Sequence, residues 1–391
     1  MEFERVPAIA KYLSLVFFLG WIGGYTVWNF LPIFFERHIE SIFLIGVLTS
    51  LPSIVTILLD IPTGNLVQRA GEKIIIFLGL LVAVFPPLLY ISAAPVFLVL
   101  GKMAEGVSKS FVWNGGWSIN LKSADEDVES ESISIFLLGI NLARVVGPVL
   151  GGYIIASYGF NLPFKLWAFT AALAVMVFYS YIGLEGKRGF LDSLEDLFHK
   201  KTYFDDWHHI RDNWKNLSLP LVLVFLYSVI FSFYWLAVPL LLKDVGADFM
   251  LMGAVFGLAA VPKVFQFVFG DLADRVGQMR LVVMLTVLLT PVLILMGSFQ
   301  QKVFIAGLFL VARFLTSGLS PAIHAFFDSR VPDEVEGEMV GFLELFKHSG
   351  SALGPIVAGT VASLWSVNGS FIAAAGVSAL IFLVASHHRF A

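Results

Sequence analysis

Gly64-Asn-Leu-Val-Gln-Arg-Ala-Gly71 is the stretch that decides the fold, because a variant of it returns about 206 residues later as Gly270-Asp-Leu-Ala-Asp-Arg-Val-Gly277. Other features recur at nearly the same spacing. Ala143, Gly147, Pro148 and Gly151 correspond to Gly350, Gly354, Pro355 and Ala358, and the aromatic series Trp21, Tyr25, Trp28 corresponds to Tyr227, Phe231, Tyr234. This duplication predicts two similar bundles of helices, which can move around a site held between them.

Composition places the chain in a lipid bilayer. Of its 391 residues, 58% are hydrophobic and 14% are charged, whereas about 25% of the residues of a soluble domain are charged. The net charge of -4 offers no concentrated basic face, so nucleic acid is not expected as a partner. Because the chain has no cysteine, disulfides, thiolate catalysis and cysteine-ligated metals are excluded.

The apolar stretches predict twelve membrane-spanning helices, each with the roughly 20 residues that a bilayer requires. Numbered 1 to 12 in chain order, they cover about 8–35, 41–67, 72–92, 95–119, 133–157, 162–184, 218–242, 247–270, 277–299, 302–327, 337–364 and 368–387. The predicted domains are an N-terminal six-helix bundle (1–184), a cytoplasmic central loop (185–217) and a C-terminal six-helix bundle (218–391). The fold class is therefore an all-α membrane protein of two pseudo-symmetric bundles.

Basic residues predict the orientation, because loops rich in Lys and Arg are retained in the cytoplasm. With the N-terminus inside, fifteen Lys and Arg fall on the cytoplasmic side and four in outer loops, namely Arg37, Lys165, Lys243 and Lys302. We expect a monomeric, multi-pass protein of the cell membrane with both termini in the cytoplasm.

Both copies of the duplicated segment resemble the loop motif of the major facilitator superfamily (MFS). That motif has a glycine, three residues, an acidic and a basic residue, then a glycine and further basic residues, and lies between helices 2 and 3 and helices 8 and 9. The second copy is close to complete, whereas the first has Gln68 at the acidic position. The stretch Asp60-Ile-Pro-Thr-Gly64 also resembles the end of helix 2 in many members.

This resemblance covers essentially the whole chain and implies the MFS fold. It also implies an inner, cytoplasmic gate that forms and breaks during transport. The gate residues would be Asp60, Gly64, Arg69, Gly71, Gly270, Asp274, Arg275 and Gly277. A well-capped cytoplasmic turn would explain the same residues.

Small residues in predicted helices 5 and 11 form a helix-packing motif. Spacing them every four positions lets neighbouring helices approach closely in lipid, and proline bends a helix. The residues are Gly147, Pro148, Gly151, Gly152, Gly354 and Pro355. The first copy is similar to a Gly-Pro-x-x-Gly-Gly motif frequent in MFS exporters, especially drug and proton antiporters, which implies export; the packing role alone would select the same residues.

Ionisable side chains inside apolar helices are functional candidates, because their burial in lipid is unfavourable. Lys102, Glu105, Lys109 and Trp113 share one face of predicted helix 4. Arg144 and Arg313 extend this polar set, and the MFS resemblance implies that helices 1, 4, 7 and 10 line a central cavity. Glu105 is the candidate for proton coupling, since a helix movement that exchanges an apolar surrounding for a lysine neighbour would bind or release a proton.

Aromatic residues complete the predicted substrate cavity. Trp21, Tyr25 and Trp28, with Tyr227, Phe231 and Tyr234, fall on single helix faces and suit a flat or amphiphilic solute. Lipid-facing or packing aromatics are the alternative interpretation. On helix 11, Glu344, Lys347 and His348 are interpreted as a buried structural pair with a neighbouring histidine. Asp205, Asp206, His208 and His209 lack a metal-site spacing, so no metal is expected.

These observations predict a secondary transporter that works by alternating access, is coupled to protons and exports a small hydrophobic or amphiphilic compound. The alternative is a proton-coupled transporter of a small organic anion or other metabolite, because Lys102, Lys109, Arg144 and Arg313 outnumber Glu105. An intramembrane enzyme or sensor is a third possibility. The chain carries no zincin motif, no Gly-x-Ser-x-Gly elbow and no phosphate loop, so we expect neither enzymatic activity nor a cofactor.

Overall fold

The computed structural model of the chain describes residues 6–123, 128–182, 207–331 and 336–390. Side chains are described within these ranges except at 129–130, 207–213, 215, 336–338 and 388–390. The described residues form helices and turns without a strand among them. The predicted all-α class is therefore confirmed.

Helices alternate with short turns along the whole described chain. They are α1 Ala8–Glu36, α2 Ile42–Ala70, α3 Glu72–Ile91, α4 Pro95–Ser123, α5 Glu129–Tyr158, α6 Asn161–Tyr181, α7 Trp207–Asp244, α8 Phe249–Val264 with Gln266–Val276, α9 Gln278–Ser298, α10 Lys302–Asp328, α11 Glu336–Leu364 and α12 Val367–Phe390. Among the described residues, nine of these helices have the length and composition of a membrane span. The two pieces of α8 meet at a 47° bend and add a tenth. The other two, α4 and α11, contain several of the ionisable residues that the sequence analysis selected, such as Glu105 and Glu344. The fold agrees with the predicted twelve helices.

Several boundaries differ from the predicted ones for local reasons. α7 begins at Trp207, inside the predicted polar segment. Its first turns form a helix although their sequence is polar, so hydropathy does not identify them. α8 breaks at Phe265, three residues after Pro262, and continues to Val276 instead of ending near residue 270. A proline within a helix removes a backbone hydrogen bond and favours such a break. The rest of the predicted central segment, residues 185–206, lies outside the described residues.

The chain divides into two compact units. Unit 1 comprises residues 1–29 and 55–203, and unit 2 comprises residues 30–54 and 204–391. In unit 1, α1 packs against α5 and α6, and α3 packs against α4 and α6. In unit 2, α7 packs against α11 and α12, and α9 packs against α10 and α12. The same helix pairs therefore recur six helices later, whereas the predicted domain boundary at 185–217 stays a prediction.

Two glycines show the duplication at atomic scale. A Cβ atom added to Gly147 of α5 would collide with Tyr25 of α1. A Cβ atom added to Gly354 of α11 would collide with Ser232 of α7, one residue after Phe231, which corresponds to Tyr25. In both units, a glycine therefore lets two helices approach more closely than any side chain would permit.

Residues 30–54 pack within unit 2 at three places. The Phe30 ring lies 5.9 Å from the Phe249 ring centre, in an edge-to-face arrangement. Gly46 packs so closely against the Pro355 backbone that a Cβ atom would collide with the carbonyl oxygen. Near the end of each helix, Lys243 Nζ of α7 lies 2.6 Å from Glu36 Oε2 of α1.

Candidate functional site

In unit 1, the Glu105 carboxylate of α4 is held by two partners. Lys102 Nζ lies 3.0 Å from Glu105 Oε2, and the Tyr90 hydroxyl of α3 donates a hydrogen bond to Glu105 Oε1. The Lys102 and Glu105 side chains are only 7% and 11% exposed. Tyr90 fits there because Gly101 of α4 has no side chain: a Cβ atom would collide with the ring. Both carboxylate oxygens are therefore engaged, which allows a charged carboxylate to be buried.

Tyr90 was missed by the sequence analysis. Its only signal is a hydroxyl-bearing aromatic at the end of an apolar helix. Nothing in the spacing of α3 indicates that it faces Glu105.

The other two residues of the predicted α4 face lie in different surroundings. The Lys109 side chain is exposed. The Trp113 ring stacks on Trp117 with ring centres 6.0 Å apart and packs against the buried core of unit 1 around Phe17 and Phe136. Lys102 and Glu105 are thus brought together, whereas Trp113 contributes to the core.

Arg144 of α5 is positioned by α1 and by its own helix. Its Nε donates to the Tyr25 hydroxyl at 3.0 Å, and its Nη1 donates to Asn141 Oδ1 at 3.0 Å. The guanidinium carbon lies 5.7 Å from the Tyr25 ring centre. The structure therefore joins two sequence-predicted residues, Arg144 and Tyr25, into one polar and aromatic contact.

The aromatic residues of α1 separate into two groups. Trp28 packs edge-on against Tyr25, with centres 4.9 Å apart, and against Trp167 of α6 at 5.4 Å. Trp21 instead stacks on Phe17 at 4.8 Å, next to the core of unit 1. Tyr25 and Trp28 therefore lie with Arg144, and Trp21 does not belong to that contact.

Asp60 of α2 hydrogen-bonds to α4. Its Oδ1 accepts from Ser110 Oγ at 2.7 Å and from Asn114 Nδ2 at 3.1 Å. Ser110 Oγ also donates to Thr63 Oγ1 at 3.2 Å. Ser110 and Asn114 were not predicted. Their spacing of four residues on α4 is the signal that could have identified a polar face opposite Asp60.

In unit 2, two cations lie near one aromatic ring of α7. The Arg313 guanidinium carbon of α10 lies 4.5 Å from the Phe231 ring centre, and Lys263 Nζ of α8 lies 5.3 Å from it. Arg313 also lies 5.9 Å from the Tyr234 ring centre. Tyr227 packs beside Phe231, with ring centres 5.9 Å apart. Phe231 and Tyr234 therefore lie beside Arg313, whereas Tyr227 contacts Phe231, and Lys263 lies near the same Phe231 ring.

The Tyr234 hydroxyl has an unusual environment. The residue is 4% exposed, and its hydroxyl has no hydrogen-bond partner among the described residues. Its ring packs edge-on against Phe309 of α10, with centres 5.6 Å apart. A buried donor without a partner marks a place where a ligand or water oxygen can bind.

A second charged cluster lies on α10 and α11. Lys347 Nζ contacts both oxygens of Glu344 at 2.6 and 2.8 Å, which is the predicted pairing within α11. His348 Nε2 lies 3.5 Å from Glu344 Oε2. On α10, His324 Nδ1 lies 2.7 Å from the Ser320 carbonyl oxygen.

Most residues of the duplicated motif lie in helices. Gly64 and Arg69 belong to α2, and Gly270, Asp274 and Arg275 belong to the second piece of α8. Only Gly71 and Gly277 form the turns, with φ of 98° and 92°, values that favour glycine. A Cβ atom added to Gly64 or Gly270 would meet nothing within 4 Å, so neither supports a close helix approach.

The ion pairs near the motif include three residues that the sequence analysis did not select, namely Asp271, Glu72 and Lys122. Arg275 pairs with Asp271, with Nη2 2.9 Å from Oδ2. In the first copy, Glu72 follows Gly71 and pairs with Lys122 at the end of α4. A carboxylate is therefore present next to the first turn although Gln68 replaces the acidic residue of the motif.

No group of three or more His, Asp or Glu side chains suited to a metal occurs in the part of the chain that the structure describes. Asp205 and Asp206 lie outside the described residues, and the side chains of His208 and His209 are not described.

Comparison with known proteins supports this architecture. A family model described as Major Facilitator Superfamily matches residues 13–262 and 220–389. The multidrug resistance protein MdtG of Enterobacter lignolyticus (strain SCF1) is 30% identical over 182 residues, which cover 44% of this chain and 43% of that protein. The match therefore spans less than half the length of this relative. An uncharacterized MFS-type transporter, MJ1560, of Methanocaldococcus jannaschii is 24% identical over 317 residues, 79% of each chain.

Solved structures show the same fold. The human organic anion transporter MFSD10 (TETRAN) superimposes with a TM-score of 0.69 at 18% identity, covering 97% of this chain and 100% of that one. A bacterial homolog of the human lysosomal transporter Spinster, in an inward-facing and unoccupied conformation, gives a TM-score of 0.77 at 14% identity, covering 97% and 96%.

Proposed function

This chain belongs to the Major Facilitator Superfamily, and we propose that it is a proton-coupled exporter of a small hydrophobic or amphiphilic compound. As a multi-pass membrane protein of this family, it carries small solutes across a membrane and is not an enzyme. Export, proton coupling and the solute class are the proposed parts.

The observation that carries the export proposal is the similarity to multidrug resistance proteins. The glycine and proline motif of α5, which resembles an exporter motif, supports the same direction. The aromatic side chains of α1 and α7 supply apolar surface with polar tips, which suits an amphiphilic solute. A small organic anion or other metabolite remains the alternative solute.

The Glu105 contacts support proton coupling. Lys102 and Tyr90 contact the Glu105 carboxylate inside a membrane helix, and both contacts favour its charged form. If α4 moves during the cycle and the lysine withdraws, the carboxylate gains a proton, and it releases the proton when the pair re-forms. Glu105 would thereby exchange protons in step with conformational change.

This proposal is tested in proteoliposomes with an imposed pH gradient. We expect wild-type protein to accumulate an amphiphilic fluorescent dye against its gradient, and Glu105→Gln to lose accumulation while it still equilibrates the dye down a gradient. Glu40→Gln, at an exposed carboxylate, is the matched control and should behave as wild type. Full proton-driven accumulation by Glu105→Gln would show that another group carries the proton.

We also propose that the protein is a monomer in the cell membrane with both termini in the cytoplasm. The excess of Lys and Arg in the loops on the N-terminal side supports this orientation. Protease accessibility of tagged termini in right-side-out and inverted vesicles tests it, and cleavage in right-side-out vesicles would contradict it.

A further inference from the structure

We propose that Tyr234, Arg313 and Lys263 form a subsite for the acidic group of the solute, so that the transported compound is an amphiphilic anion with a carboxylate, sulfonate or phosphate beside an apolar body. This inference rests on the proposed transport function and specifies its solute class. All three residues lie in unit 2.

The first argument is the position of the two cations. Arg313 comes from α10 and Lys263 from α8, and both lie within 5.3 Å of the centre of the Phe231 ring. An aromatic ring face attracts a cation more weakly than an anionic oxygen does. A bound anion would stabilise both cations at once, next to an aromatic surface for its apolar part.

The second argument is the Tyr234 hydroxyl. A buried donor that has no acceptor destabilises the folded protein. The neighbouring Arg313 cannot accept its hydrogen, because a guanidinium has donors only. An oxygen of an acidic group can accept from the hydroxyl and from the guanidinium together. The chemistry that satisfies both neighbours is therefore that of an oxyanion.

A comparison with unit 1 strengthens this argument. There, Arg144 donates to the Tyr25 hydroxyl at 3.0 Å, so an arginine and a tyrosine on neighbouring helices do form a hydrogen bond in this protein. In unit 2, the Tyr234 hydroxyl makes no such bond with any described residue. The two units thus use the same residue types differently, and the second leaves the tyrosine donor available.

The third argument is that helix packing does not require these cations. The positions 206 residues earlier, Ile57 of α2 and Val107 of α4, carry no charge, although these two helices are also in contact, through Asp60 and Ser110. Lys263 also lies in the last turn before the 47° bend of α8. Interrupted helices in transporters bring polar groups to a binding site. The two cations are therefore additions to the repeated frame.

The test uses three probes that share one aromatic body and differ in charge: naphthalene-2-sulfonate, 2-naphthyl-trimethylammonium and 2-naphthalenemethanol. Binding to purified protein in detergent is measured by calorimetry, so no transport is needed. We expect the sulfonate to bind most tightly. Tyr234→Phe should weaken sulfonate binding by about tenfold, the effect of one hydrogen bond to a charged group, and should leave binding of the neutral probe unchanged.

Further variants separate charge from structure. Arg313→Gln and Lys263→Gln should weaken sulfonate binding more than binding of the neutral probe, whereas Tyr181→Phe, at an exposed tyrosine of α6, should change neither. Without ligand, Tyr234→Phe should melt at the wild-type temperature or above, because it removes a buried group that lacks a partner. A lower melting temperature would mean that the hydroxyl is already satisfied and would overturn the proposal.

The outcomes distinguish this inference from the proposed function. Tightest binding of the cation, or equal effects of Tyr234→Phe on all three probes, would overturn the anion subsite while export remains tenable. Selective sulfonate binding that depends on Tyr234, combined with no movement of any probe in proteoliposomes, would confirm the subsite and reject export.

Discussion

At the scale of single residues, two carboxylates in the membrane helices have hydrogen-bond donors placed against them. Glu105 is held by Lys102 and Tyr90, and Asp60 accepts hydrogen bonds from Ser110 and Asn114. A buried polar group without such partners would be strongly destabilising, because the apolar surroundings offer no substitute for water. The partners therefore decide whether each carboxylate can remain in its helix.

The Asp60 contacts give a prediction about stability. Asp60→Asn keeps an oxygen that can accept from Ser110 and Asn114, whereas Asp60→Leu of similar size removes both hydrogen bonds, each worth about 0.5–1.5 kcal/mol. We expect the asparagine variant to melt near the wild-type temperature in detergent and the leucine variant to melt several degrees lower. Equal melting temperatures for the two variants would show that these hydrogen bonds do not stabilise unit 1.

At the scale of helices, the sequence was sufficient to predict that twelve of them exist but not how each ends. Apolar stretches identify spanning helices because the backbone in lipid must satisfy its own hydrogen bonds. The first turns of α7 are polar, so hydropathy alone could not reveal that the helix starts at Trp207. Side-chain partners such as Tyr90 and Glu105, or Asp60 and Ser110, lie on different helices. They depend on the rotation of one helix against another, which spacing within a single helix does not specify.

A glycine at a helix contact gives a prediction at this scale. In Gly354→Ala, the new methyl group would collide with α7 at Ser232 and Val229. Overpacking of this kind typically destabilises by about 1–3 kcal/mol. The matched control is Gly307→Ala in α10, where nothing lies within 4 Å and alanine favours the helix by up to about 1 kcal/mol. We expect thermal denaturation to show a lower melting temperature for the first variant only; the same change in both would contradict the packing role.

At the scale of the whole molecule, the two halves of the sequence share a frame and differ in chemistry. The helix pairs and the contacts of Gly147 and Gly354 recur, as expected for a duplicated bundle. The ionic groups do not recur: Lys102 and Glu105 belong to unit 1, whereas Lys263 and Arg313 belong to unit 2. A common frame allows the halves to move alike, while the different charges fit the proposed division, with proton coupling in unit 1 and solute binding in unit 2.

Residues 30–54 provide the most direct test of movement between the halves of the sequence. They come from the first half but pack within unit 2, where Glu36 pairs with Lys243. Alternating access requires contacts of this kind to break and re-form in every cycle.

We therefore expect a double variant, Glu36→Cys with Lys243→Cys, to lose transport when the thiols are joined by a short cleavable bismaleimide-type linker, and to recover when the linker is cut. The natural chain has no cysteine, so the wild type treated in the same way and each single variant are clean controls. Undiminished transport by the linked double variant would mean that these ends stay together throughout the cycle, and the moving parts would then have to be sought elsewhere in the chain.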